Sequence, residues 1–151
     1  MSVGIGYDSH RFGADRPLIL GGVQIPSERG LEGHSDADVL THAVIDALLG
    51  AAGEGDIGRH FPPDEERWRD ADSIDLLRTV IGIAGGRIEN IDVTVICEEP
   101  RLGSFREAIE SLLGEVTSAR VNIKATSNER MGWIGRGEGI AALAVVQVLN
   151  D

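Results

Sequence analysis

Asp8 and His10 stand two residues apart in the stretch "VGIGYDSHRF" (residues 3–12). The stretch reads as a strand, and alternation along a strand points i and i+2 to the same face. A carboxylate beside an imidazole is half of a metal site, or a solvated strand edge. Further along, Asp38, His42 and Asp46 recur at i, i+4 and i+8 and fall on one stripe of a helix. A carboxylate one turn to either side of His42 suits the partners that orient a ligating imidazole. The plainer reading is a surface histidine or a satisfied core one. Together Asp8, His10 and His42 make a His₂-carboxylate set. Zinc accepts these ligands, and three of them leave a fourth position for water or substrate. Spacing alone leaves both readings open.

Three other stretches carry chemical side chains. "GHSD" (33–36) opens the helix that contains His42, where backbone N–H groups and the helix dipole favour a phosphate. His34 and Ser35 could add donors there; capping by Ser35 or Asp36 is the alternative. "GDIGRHFPPD" (55–64) combines glycines, an acid and a rigid Pro-Pro turn, as a functional loop or an ordinary surface loop would. Its His60 is expected not to ligate. "KATSNERMGWIGRGEG" (124–139) gathers Thr126, Ser127, Glu129, two arginines and four glycines after a strand. Such a loop can wrap a phosphate in N–H groups or hold a hard cation through the acid. It lacks the G-K-[ST] ending of a Walker A loop, and no G-x-G-x-x-G opens a helix.

The elements that position these residues follow from patterning. "PLILGGVQIP" (17–26) predicts two short strands around a Gly21-Gly22 turn. "SERGLEGHS" (27–35) reads as loop. "DADVLTHAVIDALLGAAG" (36–53) has apolar residues at helical spacing, with Ser35 or Asp36 as cap and glycines at its end. Residues 54–72 are polar and turn-rich. Asp72 or Ser73 can cap a helix over "IDLLRTVIGIAGG", and "IENIDVTVICEE" (88–99) alternates as a strand. Ser104 and Glu107 have capping-box spacing for a helix ending near Gly114. "RVNIKATS" (120–127) and "GIAALAVVQVL" (139–149) read as strands, with helix the alternative for the last. The expected fold is α+β: one domain over residues 1–151, a two-layer α/β sandwich with a mixed sheet and helices on one face.

Composition narrows the class. The 151 residues suit one domain, and 42 % hydrophobic residues suffice for a core. A net charge of −11 argues against a nucleic-acid partner, because like charge repels the phosphate backbone. A phosphate-ester substrate would then need a metal ion and local cations to reverse the field at its site. Cys97 is the single cysteine, so no intrachain disulfide can form. No apolar run approaches the ~18 residues of a membrane span. No basic stretch followed by an apolar run opens the chain. The expectation is a soluble, cytoplasmic protein with neither nucleic acid nor membrane as partner.

Taken together, "GYDSHRF", "GHSDADVLTHAVIDALLGAAGEGDIGRHFP", "ADS", "NIDVTVICEEPRL" and "VNIKATSNERMGWIGRGEGI" resemble the 2-C-methyl-D-erythritol 2,4-cyclodiphosphate synthase family of the non-mevalonate isoprenoid pathway. The resemblance runs in order from residue 3 to about 149. It implies a homotrimer with active sites between subunits and a cytidine diphosphate ester of methylerythritol 2-phosphate as substrate. The 2-phosphate attacks the β-phosphorus of the same molecule and expels CMP, so the family enzyme is a phosphorus–oxygen lyase. It uses one zinc per subunit and a magnesium or manganese ion. Asp8, His10 and His42 match the zinc ligands and Glu129 the acid of the second cation. His34 and Ser127 match positions that stabilise the transition state, and Ser35 lies beside the attacking phosphate. Asp56, Ile57 and Gly58 match the ribose segment, with Phe61 and Glu65 in the substrate-contacting loop beyond. Cys97, Pro100, Arg101 and Leu102, with Ala125, Thr126 and Ser127, match the cytidine pocket. Trp133 and Arg136 match positions near the 2-phosphate end and the central trimer cavity, where an isoprenoid diphosphate could bind. The chain departs from the usual pattern at Glu65 (for Asp), Arg101 (for Lys), Ser127 (for Thr) and Trp133 (for Phe). The helix after Gly103 is about one turn short. A non-catalytic isoprenoid-diphosphate binder, or a zinc hydrolase with Asp46 or Asp56 as base, are the competing readings.

Overall fold

The computed structural model describes residues 1–13 and 15–150. Strand β1 spans Ser2–Gly13, and its even and odd residues have opposite fates. Gly4 and Gly6 lie under helix α1 (Val39–Ala52), while Val3, Ile5 and Tyr7 point outward. The fit under α1 is direct backbone contact. A Cβ added at Gly6 would sit 1.9 Å from the Ala43 carbonyl oxygen, and one at Gly4 1.8 Å from that of Ala47. Only glycine admits such an approach. The helix answers with small residues, Ala43, Ala47 and Ala51, at i, i+4 and i+8. As β1 advances from Gly4 to Gly6, α1 recedes from Ala47 to Ala43, so the two run antiparallel. The next even residues of β1, Asp8 and His10, therefore meet the first turn of α1, where His42 stands.

The rest of the sheet is built on β1. Short strands β2 (Leu18–Leu20) and β3 (Val23–Ile25) form a separate hairpin, and β4 is Gly30–Leu31. After α1 come a single helical turn α2 (Ile57–His60), a 3-10 turn at Glu66–Trp68 and helix α3 (Ser73–Ala84). Strand β5 (Arg87–Ile96), a 3-10 turn at Gly103–Phe105, helix α4 (Arg106–Thr117), strand β6 (Arg120–Thr126), a short turn α5 (Gly132–Gly135) and strand β7 (Gly139–Leu149) complete the chain. The main sheet has the order β4-β1-β7-β5-β6. It is mixed: β5 and β6 are parallel, and the remaining neighbours are antiparallel. The first and last strands pair over ten residues, Ser2↔Val148 to Arg11↔Gly139. The fold is single-domain α+β. No helix among the described residues is long and apolar enough to cross a membrane.

Asp38 ties the hairpin to α1. Its carboxylate is fully buried and accepts from Gly21 N (2.9 Å), Gly22 N (2.8 Å), Thr41 N (3.0 Å) and the Thr41 hydroxyl (2.7 Å). Gly21 and Gly22 both have positive φ, as a two-residue hairpin turn requires. Burial pushes this carboxyl's pKa up, and the bonds from Thr41 and Gly22 oppose that shift. Hydrogen bonds to a charged group are worth about 1.5–3 kcal/mol each, so four of them offset much of the desolvation.

Several local expectations change. Asp38, not Ser35 or Asp36, caps α1, because the helix begins only at Val39. The "SERGLEGHS" loop contributes β4, which extends the β1 ladder at Phe12↔Leu31. Residues 54–72 include α2 and a 3-10 turn. Ser104 and Glu107 form no capping box, since a 3-10 turn occupies residues 103–105 and α4 starts after it with no side-chain cap. That helix also passes Gly114 to reach Thr117. The hairpin and the last strand appear where the patterning places them.

Gly6→Ala should cost at least about 3 kcal/mol, because the displaced group is main chain and cannot rotate away. Gly82→Ala, in the exposed last turn of α3 with open space around it, should stabilise by up to about 0.5–1 kcal/mol. Urea denaturation of both variants beside wild type measures the contrast.

Candidate metal centre and its two clefts

Three donor atoms converge where β1 meets α1. Asp8 Oδ2 lies 2.9 Å from His10 Nε2 and 3.2 Å from His42 Nδ1, and the two ring nitrogens are 3.2 Å apart. Tetrahedral zinc with bonds of ~2.0–2.1 Å separates its ligand atoms by about 3.3 Å. The triad therefore fits a small divalent cation with shifts of a few tenths of an ångström. Among the described residues it is the one cluster of three or more His, Cys, Asp or Glu donors gathered closely enough to hold a metal.

Each histidine is oriented from behind. His10 Nδ1 is 2.7 Å from the Glu32 carbonyl, which can only accept, so Nδ1 carries the proton and Nε2 faces the triad. His42 is turned the other way round: Nδ1 faces the triad, and Nε2 meets Ser73 Oγ at 2.8 Å and Ser35 Oγ at 3.1 Å. The carboxylates one helical turn away do not touch this ring. Asp38 is committed to the hairpin, and Asp46 accepts from Ile57 N at 2.8 Å. Helical spacing placed both on the right stripe, but each found a backbone donor nearer than the imidazole.

Burial alone would raise the Asp8 carboxyl, but hydrogen bonds from His10 and His42 outweigh it and hold its pKa at about 2. Burial would lower the His10 pKa, and the Asp8 carboxylate beside it reverses the balance and raises it.

The triad opens into a cleft of about 220 Å³ that also contains His34, Ser35, Ile57, Gly58 and Phe61. His34 donates from Nε2 to the Glu65 carbonyl at 3.1 Å, leaving Nδ1 with no hydrogen-bond partner among the described residues. Glu65 itself pairs with Arg67 at 2.6 Å. Asp56 caps α2 through Arg59 N, and His60 is engaged with the Glu54 carbonyl. Trp68, which sequence reasoning passed over, lines this cleft edge-on to Phe61 at 4.8 Å. Its indole N–H has no partner among the described residues.

A second cleft, of about 710 Å³, shares no lining residue with the first. It gathers Cys97, Pro100, Arg101, Leu102 and Arg136 with Ala125, Thr126 and Ser127. Its cations are five arginines, of which Arg29 and Arg106 carried no sequence signal beyond their charge. Burial pushes the Cys97 thiol up to about 11, so it stays protonated. Glu129 and Trp133 line neither cleft. Glu129 sits on a sharp turn, with positive φ both there and at Arg130. Glu98 clamps that turn by accepting from Asn128 N (3.0 Å) and Arg130 N (3.1 Å).

A mixed-sheet α+β fold with a His₂-carboxylate triad open to a cleft presents a candidate divalent-metal site, with three ligands of the kind that leave a fourth position open. The match reaches a particular family: the YgbB family model covers residues 1–149, and the chain belongs to that family. It is 57 % identical to the 2-C-methyl-D-erythritol 2,4-cyclodiphosphate synthase of Symbiobacterium thermophilum, with 98 % of each chain covered. Among solved structures, bifunctional IspDF from Campylobacter jejuni matches with TM-score 0.92 and 42 % identity; the match covers 96 % of this chain and 41 % of that one. A 2C-methyl-D-erythritol-2,4-cyclodiphosphate synthase in a CDP-bound form matches with TM-score 0.89 and 34 % identity over 97 % of this chain and 99 % of that one.

A metal must displace the proton that Asp8 favours on His10, whereas Asp8 is already ionised above pH ~2. Zinc affinity should therefore fall as pH drops through a point above 6.5, and uptake near pH 6 should release protons. Calorimetric titration in two buffers of different ionisation enthalpy measures that release.

Proposed function

We propose that this chain converts 4-diphosphocytidyl-2-C-methyl-D-erythritol 2-phosphate into 2-C-methyl-D-erythritol 2,4-cyclodiphosphate and CMP. The convergence of Asp8, His10 and His42 in a chain of this family carries the reading. An oxygen of the 2-phosphate forms a bond to the β-phosphorus, the bond from that phosphorus to the bridging oxygen breaks, and CMP departs with the electron pair. The nucleophile is already anionic and tethered, so no general base is required. Good intramolecular geometry alone is worth roughly 7–11 kcal/mol, which leaves positioning and charge as the protein's tasks.

Asp8, His10 and His42 would hold zinc, which would supply Lewis-acid polarisation of the diphosphate, and Glu129 would hold magnesium or manganese, which would supply further charge neutralisation. His34 and Ser127 stabilise developing charge, and Ser35, which lines the metal cleft, receives the attacking phosphate. Asp56, Ile57 and Gly58 hold the ribose, with Phe61 and Glu65 beside them. Cys97, Pro100, Arg101, Leu102, Ala125 and Thr126 form the cytidine pocket; the CDP-bound relative supports a ligand of that class. A protonated Cys97 serves there by shape rather than as a nucleophile. Trp133 and Arg136 lie toward the 2-phosphate end and the trimer axis.

The working unit in this reading is a homotrimer of a two-layer sandwich, one domain per chain, in the cytoplasm. Two observations favour shared sites. The metal and the arginines lie in separate clefts, so a neighbour can bring the arginine cleft of one subunit to the metal cleft of another. The outer face of the sheet exposes an apolar stripe: Val3 61 %, Ile5 68 % and Tyr7 54 %, flanked by Leu143 and Val145. A stripe of this kind marks an interface.

Purified protein with zinc and magnesium should release CMP from the substrate, and His42→Ala should lower the rate at least about 100-fold. No CMP from zinc-loaded wild type would overturn the assignment. Ile5→Asp should shift the sedimentation equilibrium mass from trimer to monomer and abolish CMP release while leaving zinc uptake intact, because the triad lies within one chain. A fully active monomer would overturn the shared-site reading.

A further inference from the structure

Behind His42 runs a chain of groups that the proposed function does not use. Ser73 is the first residue of α3 and is fully buried. Its hydroxyl lies 2.8 Å from His42 Nε2 and makes a short hydrogen bond to Asp36 Oδ1. Asp36 Oδ2 accepts from Ser73 N at 2.9 Å, and Oδ1 also accepts from Asp38 N at 3.1 Å. Asp36 N in turn donates to the Ala71 carbonyl at 3.1 Å. The "ADS" segment before α3 is thus locked onto the loop before α1, and its serine is delivered to the back of the metal ligand.

The roles along this chain follow from which groups can donate. A carboxylate only accepts, so the Ser73 hydroxyl proton points at Asp36. Ser73 Oγ then has only lone pairs left for the imidazole. His42 Nε2 must therefore carry the ring proton and donate it to Ser73, which leaves Nδ1 with a bare lone pair aimed at Asp8 and His10. Ser35 Oγ, 3.1 Å away, can share that proton but has no carboxylate behind it to settle its direction. We propose that Ser73 and Asp36 are positioning residues of the metal centre: through an Asp36–Ser73–His42 hydrogen-bond chain they hold His42 in the tautomer and orientation that present Nδ1 to the cation. The carboxylate–histidine arrangement of many zinc sites is here lengthened by one hydroxyl. This inference rests on the metal reading of Asp8, His10 and His42.

Partners of this kind typically contribute 10–100-fold to metal affinity. Competition for zinc alone against a chromogenic chelator, at fixed pH and with no substrate, reads this directly. Ser73→Ala should bind zinc roughly 10–100-fold more weakly than wild type. Asp36→Asn should weaken binding as well, because its amide sets N–H donors against the N–H of Ser73 or the hydroxyl. Ser73→Thr keeps the oxygen and should recover most of the affinity. Long-range ¹H–¹⁵N correlation of the His42 ring in zinc-loaded wild type needs no variant, and should show a proton on Nε2 and the metal on Nδ1. Zinc on Nε2, or a Ser73→Ala protein that folds and binds zinc within about twofold of wild type, would overturn the proposal and leave the metal site standing. Wild type that takes up no zinc would overturn both.

Discussion

The site depends on one contact, the main chain of α1 pressed onto β1 over Gly4 and Gly6. Ordinary helix–sheet packing interposes side chains and leaves several ångströms between backbones. Here the carbonyls of Ala43 and Ala47 occupy the volume that a Cβ would fill. The imidazole of His42, one residue from Ala43, is thereby brought within 3.2 Å of donor atoms on β1. Period two along the strand then does the rest: Gly4, Gly6, Asp8 and His10 share a face, the first two making the approach and the last two using it.

Around that contact the polar groups are layered. His10 is held by a backbone carbonyl, His42 by a hydroxyl backed by a carboxylate, and Asp8 by the two rings it joins. The nearest helix carboxylates stay out. Asp38 fastens the hairpin to the start of α1, and Asp46 fastens α2 to its middle. The acids that looked like metal-site partners are architectural, and the acid that looked like a cap, Asp36, stands behind His42 through Ser73.

Charge is distributed with similar economy. The chain carries −11 overall, yet five of its 14 basic residues line the larger cleft, against two glutamates. One of those glutamates, Glu98, is turned onto the backbone N–H groups of the loop that presents Glu129. On an acidic protein, clustering arginines in one cleft makes the local potential there more positive than the net charge implies. The larger cleft and the Asp8–His10–His42 triad lie apart within the chain, and an apolar stripe of β1 and β7 is exposed on the outer face of the sheet.

Much of this was legible in the residues. Strict alternation in "VGIGYDSHRF" placed Asp8 and His10 on one face, the 3.6-residue rhythm of 36–53 placed His42 on a helix, and Gly21-Gly22 marked the hairpin. These are local properties, set by backbone geometry a few residues at a time. Which partner each polar group would take was not local. Asp36 and Ser73 are 37 positions apart, and Ser104 lies inside a 3-10 turn instead of capping α4. Sequence spacing determined which residues could share a face. Only the tertiary structure decided which faces met, because that depends on how closely two backbones approach, and here on two glycines whose missing side chains leave room for a helix.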